Sequence, residues 1–259
     1  FQDANVETVV FALRKPMNKQ ILAENLVKVV LVKDLAEADA LEQTQPTTLP
    51  QNLFTLTYKH IFDLSLSPRN LSVKSKVQSA GKPIDTLVEI CFGLKTGDDS
   101  KFLRSSRESS EDKPLLRGAN VGRYEYSYQG EFVWYVPELM RAHRSTARPG
   151  EPDRFECPKI LIRDTLDQLS GTFDGDGYYV KDVLILRSPA PKYNLKYILS
   201  IINSKLMRWY YETSFPTLHV QRDELASLPI YHISFTTPTD ERQRYAKEIS
   251  SASGATHFE

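Results

Sequence analysis

An α+β fold, strand-rich through its first two thirds and helical towards the C-terminus, is what this sequence predicts. Three observations carry that reading. Short runs of β-branched and aromatic residues recur between Leu26 and Arg187. Turn signals built on glycine, proline and aspartate stand between them. From Tyr193 onward, Leu195, Ile198, Leu199, Ile202, Leu206 and Tyr210 recur at three- and four-residue steps, the period of an amphipathic helix.

Phe1 to Lys15 alternates and then runs apolar through Val6, Val9, Val10, Phe11 and Leu13, as a buried strand does, and Leu26 to Val32 offers a second such run. Asp34 to Asn52 turns polar, carries Pro46 and Pro50, and reads as a short helix and a linker. Phe54 to Leu64 is apolar without a clear period. Ser67-Pro68 opens a helix that reaches Ala80 and ends at Gly81. Asp85 to Phe92 is strand-like, and Gly93 to Gly97 turns away from it. In Leu115 to Tyr124, LLRGANVGRY, a glycine-rich turn precedes aromatic strands that continue through Tyr135. Met140 to Asp153 is a basic loop poor in apolar residues. Lys159 to Asp164 is a short strand, and Ser170–Phe173 with Tyr178–Arg187 predicts a β-hairpin across Asp174-Gly175-Asp176-Gly177. Asn194 caps the central helix and Phe215-Pro216 stops it, because the residue before a proline is pushed out of the α region. Thr217 to Gln221 is extended, one helical turn follows, and Leu228-Pro229-Ile230 closes the segment. Thr237-Pro238-Thr239-Asp240 starts a last helix reaching about Ile249.

With 259 residues, 41% hydrophobic and 25% charged, the chain has the composition of a globular protein of one large or two modest domains. No apolar run approaches a membrane span, and no signal peptide opens the chain. It begins without methionine inside a strand-like run, which predicts a piece of a longer protein. Cys91 and Cys157 lack partners at metal-ligand spacing and read as free thiols in a reducing cytoplasm. Net charge is zero, but residues 67–211 carry 23 basic against 18 acidic side chains, an excess of five positive charges in the middle of the chain. A local excess is what phosphate contact requires; a mixed solvated surface produces the same count.

A catalytic constellation is absent from the pattern. The five histidines are scattered, with no HExxH, no CxxC and no glycine-flanked serine elbow. The DGDG turn lacks the further oxygen ligands of a calcium loop, and Gly93 to Gly97 lacks the Lys-Ser/Thr of a phosphate loop. What recurs is a basic or amide side chain just past a strand or turn: Lys95 and Thr96, Arg117 and Asn120, Arg123, Arg163, and Thr217, His219, Gln221 and Arg222. Arginine can donate two bonds to guanine, and asparagine or glutamine can pair with adenine, so these types suit base edges. Gln221 and Arg222 serve equally as a helix cap and a surface ion pair. Lys101, Arg141, Arg144 and Arg148 are the candidates for phosphate contact.

The order GLKTG, LLRGANVGRY, PKILIRD, IINSKL and FPTLHVQRDELASLPI resembles the C-terminal specificity domain of TaqI-type DNA adenine-N6 methyltransferases and of the related fused restriction–modification enzymes. The likeness is good over residues 85–233 and suggestive over 1–15, where FQDANVETVVFALRK is similar to the last strands of the family's methyltransferase domain. It is poor over 16–84. The family's catalytic Asn-Pro-Pro-aromatic motif and its S-adenosylmethionine loop occur nowhere in the chain. The resemblance therefore implies a β-rich curved recognition lobe with a helical C-terminal part, preceded by terminal strands of a methyltransferase domain. It divides the chain into 1–33 (those strands), 34–53 (a linker) and 54–259 (a DNA target-recognition domain).

The expected partners are double-stranded DNA and the catalytic methyltransferase domain of the same parent chain, with no membrane. No cofactor or metal is expected in the fragment itself, and S-adenosylmethionine belongs to the parent's catalytic domain. A second reading is a docking lobe within a restriction–modification complex, using the last helix with Tyr245 and Ile249 as its contact face. A hydrolase or nuclease would need a better acidic set than Asp164, Asp174 and Asp176.

Overall fold

In a computed structural model, residues 10–12, 25–30, 32, 45–57, 60, 62–63, 67–164, 168–191, 193–215, 219–232, 240–241, 243–244 and 247 are described. The chain divides into two compact units, Phe1–Ser72 with Thr213–Pro216, and Val73–Glu212 with Thr217–Glu259.

In the first unit, β1 (Leu26–Val29) pairs antiparallel with β2 (Thr47–Pro50), with Val27 opposite Leu49. Val29, Leu49 and Phe54 form its small core, against which Val27, Leu53 and Leu71 pack. β2 lies inside the stretch expected as linker. The strand expected over Phe1 to Lys15 falls mostly outside the described residues, and its described Val10 and Phe11 are exposed. Helix α1 (Pro68–Ala80) starts and ends where the sequence predicts. The Ser67 hydroxyl accepts from the Asn70 N–H at 3.1 Å, and proline occupies the first helical position, whose N–H would be unpaired anyway.

The second unit begins with β3 (Gly81–Pro83), then β4 (Glu89–Phe92), a single-turn α2 (Asp99–Phe102), β5 (Leu103–Arg104), β6 (Asp112–Arg117) and β7 (Phe132–Trp134). It continues through α3 (Pro137–His143), β8 (Lys159–Arg163), β9 (Gly171–Asp174), β10 (Tyr179–Lys181), β11 (Val183–Arg187), α4 (Leu195–Ile202), α5 (Lys205–Ser214), α6 (Arg222–Ala226) and β12 (Pro229–Tyr231). Two four-stranded sheets, β10-β6-β7-β5 and β4-β11-β8-β9, carry the core. Leu115, Leu116, Val133 and Val180 from the first meet Cys91, Leu161, Val183 and Ile185 from the second in one buried cluster. β12 pairs with β3, where a Cβ on Gly81 would come within 2.8 Å of the Ile230 N atom, so only glycine fits.

Three sequence expectations are corrected. The expected hairpin across Asp174–Gly177 is not one, because β9 pairs with β8 whereas β10 pairs in parallel with β6. The turn instead carries the chain from one sheet to the other. Asp174, fully buried, accepts from the N–H groups of Asp176, Gly177 and Tyr178 and pairs with the equally buried Lys159 at 2.5 Å. A carboxylate so placed fixes a loop as firmly as strand pairing would.

The single helix expected between the Asn194 cap and the Phe215-Pro216 stop is two, α4 and α5. The side chain of the fully buried Asn203 leaves the helix to accept from the Gly171 N–H and donate to the Gly171 carbonyl, each at 2.9 Å. The break shifts the helical phase, which leaves Leu206 about half exposed rather than in the core. Finally, the basic loop expected from Met140 begins as the last turns of α3, anchored by the fully buried Met140. The last helix expected to run to Ile249, with Tyr245 and Ile249, lies largely outside the described residues. Both cysteines are free. Among the described residues no helix is long and apolar enough to cross a membrane.

Candidate nucleic-acid interface

Four strands deliver their C-terminal ends to one place, the start of β11. Phe92, the end of β4, lies opposite Leu184, and Arg163, the end of β8, lies opposite Val183. Arg117, the end of β6, lies beside Lys181, the end of β10. β4 and β8 flank β11, so their ends stand roughly 10 Å apart, twice the spacing of neighbouring strands. The Gly93 N–H donates to Val183 O and the Leu94 N–H to Val180 O, which sets the GLKTG turn at the same point. The Val220 N–H donates to Asp164 O, bringing the His219–Arg222 segment to the end of β8. Residues scattered over more than 120 positions thus gather at one end of the sheets.

Within this cluster the candidate readers differ in how they are held. Lys95 is exposed, and its side chain, like that of the half-buried Arg163, has no hydrogen bond or ion pair among the described residues. Thr96 is buried and donates its hydroxyl to Asp99 at 2.5 Å, and Asp99 in turn pairs with Lys181 at 2.7 Å. Arg117 grips Glu131 through Nε at 2.6 Å and through a second, shorter bond from Nη2. Asn120 accepts the Arg117 N–H and so closes the LRGAN turn. Arg123 donates twice to the Asn203 carbonyl, at 3.1 and 3.2 Å. Gln221 stands at the N-cap of α6, where its N–H donates to Glu224 Oε2 at 3.4 Å. Arg222 reaches Ile90 O at 3.4 Å and approaches Asp223 at 3.9 Å. His219 is exposed at an isolated bridge, and Thr217 lies outside the described residues.

Beside the strand ends lies an open cleft of about 450 Å³ walled by Arg141, Arg144, Arg148 and Arg154, with Glu151 as its acid. Its position follows from local chemistry. Lys95 and Arg148 form a two-bond bridge (2.8 and 2.9 Å), tying the GLKTG turn to the arginine loop. Gly97, at φ +79°, lies so close to Arg144 that a Cβ would sit 2.8 Å from the arginine's own. The Tyr135 hydroxyl donates to Gly150 O at 2.7 Å and pins the far side; burial pushes that phenol up to about 12.

Arg141 is shared between Glu138 and Glu151, and Arg148 Nη1 donates to two carbonyls of its own loop. Arg144 is exposed with no partner among the described residues. Arg154 was not among the expected contacts. Its Nε is buried without a hydrogen bond in the described structure while Nη1 reaches Phe92 O at 3.4 Å. Only its place at the end of the run RAHRSTARPGEPDR could have pointed to it.

Lys101 stands at the edge, 3.3 Å from His143 Nδ1, and the other ring nitrogen of His143 lies 2.9 Å from Asp98. That contact, with the Ser100 hydroxyl, holds the Asp98 carboxyl down at about 2. Among the described residues no group of three or more His, Cys, Asp or Glu could hold a metal.

Residues 113–230, from β6 through β12, match the TaqI-like C-terminal specificity domain. The matched stretch is a little under half of the chain. It contains the Arg117–Arg123 turn, Arg163, the arginine cleft and the His219–Arg222 segment, whereas Lys95, Thr96 and Lys101 precede it. Among solved structures the chain is similar to the HsdS subunit from Thermoanaerobacter tengcongensis, at 12% identity and a TM-score of 0.41. That likeness covers 71% of this chain and 44% of the HsdS subunit. No curated protein matches.

Proposed function

We propose that this chain reads a DNA target sequence for a restriction–modification system. The observation that carries the reading is the Lys95–Arg148 bridge, which joins an arginine-walled cleft to the gathered strand ends within and beside a TaqI-like specificity domain. In this division of labour Arg144, Arg148, Arg141 and Lys101 contact phosphates. They fix register without reading sequence. Lys95, Arg163, Thr217, His219, Gln221 and Arg222 meet base edges in the major groove. Thr96, Arg117, Asn120 and Arg123 face the same task already committed to internal bonds, so their part is to hold the readers in place. On the same reading, residues 54–259 form the recognition domain and 34–53 a linker. Residues 1–33 then close the methyltransferase domain of a cytoplasmic parent chain, which transfers a methyl group from S-adenosylmethionine to adenine N6. This chain carries none of that catalytic machinery.

Titration of the chain against a duplex library at several salt concentrations tests the reading. Four such phosphate contacts give a slope of log affinity on log salt near −3.6, roughly a 150-fold loss between 50 and 200 mM salt. Affinity that ignores salt would refute it.

A further inference from the structure

Arg123 and Tyr124 are the two loop residues of a tight hairpin: the Gly122 N–H donates to Glu125 O at 2.9 Å, and Val121 bridges Tyr126 outside them. Tyr124 occupies the second loop position with φ +66°. Glycine or asparagine is the usual occupant of such a site, since a Cβ in the left-handed region crowds the following carbonyl. A bulky aromatic there is strained, and strain of this kind persists where the surroundings over-determine it, most often at functional sites. The surroundings here do so. The Tyr124 N–H donates to Gly171 O at 2.9 Å, the same carbonyl that Asn203 binds. The neighbouring Arg123 is clamped on Asn203 O by two bonds, and its guanidinium lies 5.2 Å from the Tyr124 ring centroid.

All this order is not used to bury the ring. Tyr124 is 49% exposed, and its hydroxyl has no partner among the described residues. A core contact, the ordinary reason for an aromatic side chain, is therefore missing.

We infer that Tyr124, backed by the clamped Arg123, is a stacking platform for a nucleobase that has left its own stack. Every base presents a π-face, so such a platform accepts any base, and a rigid ring loses little freedom on binding. The inference deepens the DNA-reading proposal above and rests on it.

The test uses the full 259-residue chain and two duplexes of identical flanks, one fully paired and one with a single T·T mismatch that frees a base. The unaltered chain should favour the mismatched duplex by on the order of tenfold, within the range of base–aromatic stacking. Tyr124→Asn suits the left-handed backbone but has no ring; it should bring that preference close to one while leaving the melting temperature equal or higher. Tyr124→Phe should restore the preference. Equal preference in Tyr124→Asn and the unaltered chain overturns the inference and leaves the DNA-reading proposal standing. A lower melting temperature in Tyr124→Asn makes the ring structural and also overturns the inference. Salt-independent binding of both duplexes overturns both.

Discussion

Replacing Asn203 with alanine separates the scaffold from the surface it supports. Asn203 is fully buried at the joint between α4 and α5, and its amide forms two 2.9 Å bonds with Gly171 on the edge strand β9. Alanine would deprive the buried Gly171 N–H of that acceptor, which costs about 1–3 kcal/mol. The Gly171 carbonyl keeps the Tyr124 N–H and loses only its second donor, about 1 kcal/mol more. The expected loss is about 2–4 kcal/mol, or roughly 5–15 °C in melting temperature for a unit of this size. Calorimetry or circular-dichroism melting reads it directly. Asn203→Asp adds a signed check, because it keeps the acceptor and turns the donor into an oxygen facing a carbonyl. Burial raises the pKa of the introduced carboxyl in the folded state. The variant should therefore approach wild-type stability below about pH 4, where the carboxyl is protonated in both states, and lose stability as pH rises. An unchanged melting temperature for Asn203→Ala, or an Asn203→Asp variant indifferent to pH, would refute the joint.

Four further outcomes follow from the same geometry. Arg144→Ala and Arg148→Ala should each lower the steepness of the salt dependence by about 0.9 and weaken all sequences alike, whereas Arg163→Ala should change base preference in a selection from a duplex library. Lys159→Met leaves the Asp174 carboxylate buried with backbone donors alone. It should cost about 3–5 kcal/mol in denaturant unfolding, and a value near zero would mean that those N–H groups suffice. His143→Phe keeps a ring against Phe102 but removes the partner of Asp98. The Asp98 midpoint should then rise from about 2 towards its ordinary value of about 3.9, as followed by carboxyl NMR titration. Finally, burial pushes Asp112 up, but the N–H groups of Glu108 and Ser109 and the guanidinium of Arg104 outweigh it and hold this carboxyl low. Carboxyls held low in the folded state stabilise it above their unfolded pKa and lose that contribution as pH falls through the folded value. Acid unfolding should therefore set in below about pH 4, and Asp112→Asn should move its onset.

Where a side chain acts on its own neighbours, the sequence was legible; where it acts across the fold, it was not. α1 was readable to the residue because Ser67, Pro68 and Gly81 are local signals, and β8 because Ile160-Leu161-Ile162 is an apolar run bounded by a charged residue at each end. The break between α4 and α5 was hidden: an apolar period runs unbroken through IINSKL, and nothing in it reveals that Asn203 meets a glycine 32 residues earlier. The DGDG turn misled for a related reason. Its glycines and aspartates suit a hairpin, but Lys159 and the chain's return to β6 decide its use. At the site, the residue types were recognisable and their company was not. Only pairing across the sheets puts Lys95, Arg163 and the His219–Arg222 segment at one point, and only the loop's closure adds Arg154.

The positive excess of residues 67–211 also changes meaning in the folded chain. Arg104, Arg117, Lys159, Lys181 and Arg187 are each matched to a carboxylate, so much of the basic content of this stretch serves cohesion. Lys95, Arg144 and Arg163 are left without such partners among the described residues, and they stand at the strand ends or on the loop bridged to them. Interior cations are worth most when their acids are close and desolvated, whereas a cation with no acid beside it keeps its charge available to an outside anion. A counted charge cannot distinguish the two kinds. The pairing pattern can, and the frame that carries Lys95, Arg144 and Arg163 is built from two sheets that meet at the start of β11, a glycine that brings Arg144 against the turn, and an asparagine that locks the helices to the edge strand.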